Sequence, residues 1–107
     1  MLIPINTTNA PQPIGPYSQA IKVGKLVILS GQIPIDITSK KINDDIAQQT
    51  IITLNNIKSI IEAADLKIEN IIKTTIFLIN IKELDIVNKI YEKFFLTHQK
   101  IIFIYFM

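Results

Sequence analysis

The sequence predicts an α+β domain whose elements run in the order three strands, helix, strand, helix. Three observations carry this. Residues 71–80, Ile-Ile-Lys-Thr-Thr-Ile-Phe-Leu-Ile-Asn, are mostly β-branched or aromatic with no Gly or Pro, and read as a strand roughly 33 Å long. Two other stretches, one before and one after it, repeat apolar residues at three- and four-residue spacing. The first forty or so residues instead carry short apolar runs separated by Pro and Gly, the pattern of an antiparallel meander.

In order along the chain, residues 2–5 form a short apolar run that Pro4 confines to a sheet edge. Residues 9–13 are a loop, since Pro11 and Pro13 block helix. Residues 17–23 and 26–29 read as a hairpin around Gly24-Lys25, with Gly at the first central position. Ile33, Ile35 and Ile37 share one face of a third strand that ends in a turn through residues 38–41. Asn43 is the expected N-cap of the first helix, and Asp44 and Asp45 favour its positive end. Its apolar stripe runs through Ile46, Leu54, Ile57 and Ile61 to Ala63-Ala64, a length of about 30 Å that matches the strand at 71–80. Asp65 falls at the position after the helix where Gly is preferred. Asn80 and Glu83 have capping-box spacing before a second helix whose stripe is Leu84, Val87, Tyr91, Phe94 and Phe95, ending near Thr97-His98. Residues 101–107 are apolar, without turn chemistry or alternation, and read unlike the rest, although they pass for a strand.

In the strand at 71–80, Ile72, Thr74, Ile76 and Leu78 point one way and Lys73, Thr75, Phe77 and Ile79 the other. Both faces are apolar in the second half and need cover. Two helices clothe one side of a sheet, so another copy of the protein is expected on the other.

The 107 residues make a single domain, 49% hydrophobic and 19% charged, too apolar for a disordered tail and too charged for a membrane protein. No apolar run reaches the roughly 18 residues of a membrane span, and the N-terminus lacks a signal-peptide pattern, so no membrane partner and a cytoplasmic location are expected. The absence of Cys excludes disulfides and thiolate chemistry, and a single His leaves little for a metal. A net charge of +2, carried entirely by Lys on the basic side, forms no patch suited to nucleic acid. The abundance of Ile, Asn and Lys reflects adenine- and thymine-rich codons.

Several residues invite a functional or a structural reading. Gly31 interrupts a strand pattern, which marks a bulge or the close approach of a ligand or backbone. Tyr17, next to Gly15-Pro16, presents its hydroxyl to a small polar ligand or simply keeps a wet tip at the rim of the core. Asn88 lies at the margin of the second helix's stripe, and His98 suits a helix C-terminus. The paired acids at 44–45 and 62–65 are explained by capping and solvation. No nucleophile triad, phosphate loop or metal-ligand spacing is present.

IGPYSQA at 14–20, SGQIP at 30–34, Leu54-Asn55-Asn56, IIKTTIFL at 71–78 and VNKIYEKFF at 87–95 together resemble the RidA family, also called YjgF or RutC. The resemblance spans residues 9 to about 98. It implies a chorismate-mutase-like α+β sheet with two helices on one face, closed with other copies into a trimeric barrel. It also implies cofactor-free, metal-free hydrolysis of enamines and imines, chiefly 2-iminobutanoate and 2-iminopropanoate, to 2-oxo acids and ammonia. The homotrimer would hold its sites between subunits, with Tyr17, Gly31 and Asn88 matching cleft positions. Relatives follow the second helix with an Arg that grips the substrate carboxylate and a last strand bearing a Glu that acts as general base. The Arg position falls at about Tyr105, and the chain stops before the Glu. From about residue 99 the pattern is atypical and lacks the family's last strand, as a truncation or frameshift would produce. The expected reading is an imine deaminase by descent whose working form extends further. The alternatives are a non-catalytic trimer that binds a small ligand or serves as an interaction module, and an inactive relic.

Overall fold

A computed structural model describes residues 1–95 in full and residues 101–106 as a strand. Strands β1 (Leu2–Ile5), β2 (Ala20–Val23) and β3 (Leu26–Leu29) form an antiparallel sheet in the order β1-β2-β3. The register pairs Val23 with Leu26, so Gly24 and Lys25 are the whole hairpin loop, and Gly24 alone of the two takes a positive φ, 58°. That is the pattern of a type II′ turn, which requires Gly at its first central position.

Helix α1 (Ile46–Ala63) follows. Its N-cap is Asp45, whose side chain accepts the Gln48 N–H at 3.1 Å, and not Asn43. Asn43 acts one step earlier, its Oδ1 accepting the Asp45 N–H at 2.8 Å. Asp65 ends the helix in left-handed geometry, φ 60°, at the position the sequence marks for Gly.

Strand β4 (Lys73–Leu78) is shorter than the predicted 71–80. A 3₁₀ turn over Ile81–Glu83 leads into α2 (Leu84–Phe94). Asn80 Oδ1 accepts the Lys82 N–H at 3.0 Å and so caps the 3₁₀ turn, while Glu83 makes no side-chain capping bond; the expected capping box does not form. The expected helix end at Thr97-His98, and His98 itself, lie outside the described residues. Strand β5 (Ile101–Phe106) pairs parallel to β4, from Lys73↔Ile101 to Leu78↔Phe106. Parallel pairing needs a long crossover, and α2 supplies it.

The third strand expected at 33–37 is absent. Only an isolated bridge, Ile35↔Ile42, forms there. Pro34 has no N–H to offer, and the Ile35 N–H turns back to the Ile33 carbonyl at 2.8 Å, so the donors a sheet ladder needs are missing or used locally.

The row Ile5, Ala20 and Leu29 faces inward, where the first two pack with Ala10 and Ile60, bordered by Leu29, Val27 and Ala64. By alternation Leu2, Pro4, Ile21, Val23, Leu26 and Ile28 lie on the opposite face, where Leu26 is 55% exposed and Ile28 61%. In β4, Leu78 is buried and Thr74 and Ile76 are half-buried, whereas Lys73, Thr75 and Phe77 are exposed, as the predicted alternation requires. One sheet face is thus covered by the chain's own helices while an apolar opposite face is not. Among the described residues, more large apolar side chains are exposed than buried.

Candidate functional site

The loop from residue 6 to residue 19 reaches its site through backbone constraints. Gly15 admits the ring of Tyr17: a Cβ at Gly15 would lie 3.0 Å from Tyr17 Cε2 and 3.2 Å from Cδ2. The Tyr17 N–H also donates to the Gly15 carbonyl at 2.8 Å. Tyr17 is therefore held over the bend that the Gly15-Pro16 pair creates, and it remains half exposed.

Tyr17 and Gly31 line one recess of about 80 Å³. One wall consists of Pro11, Gln12, Pro13 and Ile14 leading to Tyr17 and Gln19; the other is Gly31, Gln32, Ile33 and Ile35. Drug-sized sites occupy about 300–1,000 Å³, so this recess suits only a small molecule, or is part of a larger cleft. The walls meet where the Ser30 N–H donates to the Gln19 carbonyl at 2.9 Å and the Ser30 hydroxyl donates to the Ser18 carbonyl at 2.6 Å.

Gly31 lies beyond the end of β3, so no bulge explains it. Its φ is not positive and a Cβ there would meet nothing within 4 Å. Nothing among the described residues requires Gly at that position. Asn88 is exposed on α2 and is not part of the recess lining. The structure therefore brings Tyr17 and Gly31 together and leaves Asn88 apart in the single chain.

Two buried carboxamides were missed by sequence reasoning. Gln19, 1% exposed, accepts the Thr7 N–H on Oε1 at 2.6 Å and donates through Nε2 to the carbonyls of Thr7, Ala10 and Pro11 at 3.0, 3.4 and 2.9 Å. Asn56, 5% exposed on α1, donates through Nδ2 to the carbonyls of Ile33 and Ile35 at 3.4 and 3.1 Å. The available signal was their position inside two of the motifs, IGPYSQA and Leu54-Asn55-Asn56.

Elsewhere, a shallow depression of about 380 Å³ beside the 36–44 turn includes Asp36, Lys41 and Asp44. Asp36 is occupied with the turn itself, accepting the Thr38 and Ser39 N–H groups at 2.7 and 3.0 Å. Between α2 and β4, burial pushes the Tyr91 hydroxyl above its ordinary value. Thr74 draws it back part of the way through an interaction that falls short of full hydrogen-bond geometry, since among the described residues Thr74 Oγ1 has no hydrogen-bond partner. Among the described residues no group of three His, Cys, Asp or Glu side chains could hold a metal ion, and no helix is long and apolar enough to cross a membrane.

A three-stranded antiparallel sheet, a two-stranded parallel sheet and two helices, with a small recess past the end of β3, define the class as an α+β fold. The comparisons narrow it. A model of the family described as endoribonuclease L-PSP matches residues 7–102, and the chain belongs to that family, which comprises the YjgF, RutC and RidA proteins. A RutC family protein of Buchnera aphidicola from Schizaphis graminum is 54% identical over 99 residues, covering 92% of this chain and 77% of the relative. The 2-iminobutanoate/2-iminopropanoate deaminase of Salmonella typhimurium is 45% identical over 94 residues, covering 88% and 73%. Among crystal structures, the YjgF product of Escherichia coli superposes with a TM-score of 0.93 at 38% identity, covering 98% of this chain and 85% of that one. Escherichia coli TdcF with bound serine superposes with a TM-score of 0.94 at 33% identity, with the same coverage.

Proposed function

We propose that this chain is a deaminase of small 2-imino acids, chiefly 2-iminobutanoate and 2-iminopropanoate, working in the cytoplasm as a homotrimer with its sites between subunits and without a cofactor. The observation that carries the reading is the shared recess of Tyr17 and Gly31, set in a chain 45% identical to a protein named for that reaction. Water adds across the C2=N bond, the C–N bond of the resulting carbinolamine breaks, the nitrogen leaves as ammonia, and C2 keeps the oxygen as a 2-oxo group. In this reading the Tyr17 hydroxyl and the uncovered backbone of Gly31 are the polar contacts for the substrate, and the apolar rim of Pro13, Ile14 and Ile33 accommodates its short alkyl group.

The trimer is supported by the uncovered apolar face of β1-β2-β3. Burying one exposed Ile or Leu contributes about 1.5–3 kcal/mol, so the few exposed along Leu2, Leu26 and Ile28 favour association strongly. A Gly at 31 that the described residues do not require, and an Asn88 exposed away from the recess, both suit a cleft completed by a neighbouring copy.

The test is 2-oxobutanoate release from 2-iminobutanoate made in situ from L-threonine by a pyridoxal-phosphate dehydratase, with semicarbazide competing for the imine. The full chain should raise 2-oxobutanoate at the expense of the semicarbazone; an unchanged ratio at every protein concentration rejects the reading. A second reading, a trimer that binds a small amino or oxo acid without turning it over, draws on Tyr at position 105 and on the serine bound to the TdcF relative. Binding of 2-oxobutanoate with no change in the imine ratio would select it.

A further inference from the structure

Gln19 and Asn56 attach to opposite walls of the recess, and each does so from a different element. Gln19 precedes β2 and binds the loop at Thr7, Ala10 and Pro11, which begins the Tyr17 wall. Asn56 sits in the middle of α1 and binds the carbonyls of Ile33 and Ile35 in the Gly31 wall. Neither wall has regular secondary structure of its own, since residues 6–19 lie between β1 and β2, and residues 30–34 lie past the end of β3. A segment without a ladder keeps its shape through whatever buried groups satisfy its backbone. Both carboxamides are nearly fully buried, so water cannot substitute for them.

We propose that Gln19 and Asn56 are paired positioning residues that set the width of the recess, Gln19 holding the Tyr17 wall to β2 and Asn56 holding the Gly31 wall to α1. Asn56 does not line the recess, and Gln19, which does, commits both ends of its carboxamide to the loop backbone. Their effect on ligand binding rests on the deaminase reading; their effect on the walls does not.

The test uses the full chain with two near-isosteric substitutions, Gln19→Met and Asn56→Leu, and Thr50→Val as control. Thr50 is also buried and polar, but its hydroxyl bonds within α1 to the Ile46 carbonyl at 2.8 Å and it does not line the recess. Amide hydrogen exchange is followed at Thr7, which donates to Gln19, and at Ile35, in the segment Asn56 holds. Gln19→Met should speed exchange at the Thr7 amide by about tenfold or more and leave Ile35 unchanged, and Asn56→Leu should do the reverse. Calorimetric affinity for 2-oxobutanoate should fall by about tenfold in each, with Thr50→Val leaving it at the parent value.

Unchanged exchange in folded variants overturns the proposal. So does acceleration at both amides together with the amides of α1, which is loss of global stability. If Gln19→Met does not fold, Asn56→Leu decides by the same criteria. A parent that neither binds 2-oxobutanoate nor hydrolyses the imine rejects the deaminase reading, while the exchange pattern still decides the positioning roles.

Discussion

At the scale of single residues, the recess depends on groups whose partners are backbone atoms. Gly15 leaves room for the Tyr17 ring, and among the described residues Tyr17 is the one side chain lining the recess that carries a hydroxyl. Tyr17→Phe should lower kcat/KM for 2-iminobutanoate hydrolysis by roughly ten- to a hundredfold, the loss expected for one hydrogen bond to a charged group, while the thermal midpoint stays near the parent's. Tyr91 makes a different prediction. Its folded pKa is raised above the ordinary 10.0, so the unfolded chain loses that proton first. The stability this group contributes is complete below pH 10.0 and is lost as pH rises through the folded value. In urea titrations, the midpoint of the parent should fall more steeply than that of Tyr91→Phe as pH rises from about 9 to about 11. Breaks in pattern singled out Tyr17 and Gly31 without deciding their role, and only the family resemblance suggested that they share a cleft. Gln19 and Asn56 were not singled out, because a carboxamide beside an apolar run reads as surface, and its partners at Thr7, Pro11 and Ile33 are 12, 8 and 23 residues away.

At the scale of elements, periodicity located both helices, the Gly24-Lys25 turn located the hairpin and β-branched composition located the organising strand, and local donors decided where they end. The first helix has two candidate caps, and only Asp45 accepts a helical N–H. Asp45→Ala should destabilise the protein by about 0.5–2 kcal/mol and Asn43→Ala by less, read as the difference in urea midpoint multiplied by a shared m-value. The strand expected at 33–37 failed because alternation among Ile33, Ile35 and Ile37 says nothing about donors. Pro34 removes one, the Ile33 carbonyl takes another, and Asn56 claims the carbonyls of Ile33 and Ile35. The same failure leaves the Gly31 wall irregular and open beside the recess. For residues 101–106 the apolar, β-branched composition was enough to suggest a strand; its parallel partner β4 was not readable, because register depends on the crossover through α2.

At the scale of the whole molecule, the alternation at 71–80 predicted a face that this chain's own helices do not cover, and the exposure of Phe77 agrees; the outward row of the three-stranded sheet, with Ile28 exposed, adds a second such face. In the proposed trimer, neighbouring copies close that face, as the sequence reading expects. Ile28 lies on the uncovered face, on the edge strand β3 and opposite Ile21 of the central strand in register. Ile28→Lys should leave the cooperative thermal transition in place, since the side chain is already 61% exposed, while sedimentation shifts from trimer to monomer. The central claim is that one chain carries part of an imine-hydrolysing site and a second copy completes it. It is tested most directly by the rate of 2-iminobutanoate hydrolysis per chain, measured across protein concentrations that span the association range seen in sedimentation. The rate per chain should rise with concentration and level off once trimers dominate. A rate per chain that stays constant down to concentrations where only monomers sediment, or no acceleration at any concentration, would contradict it.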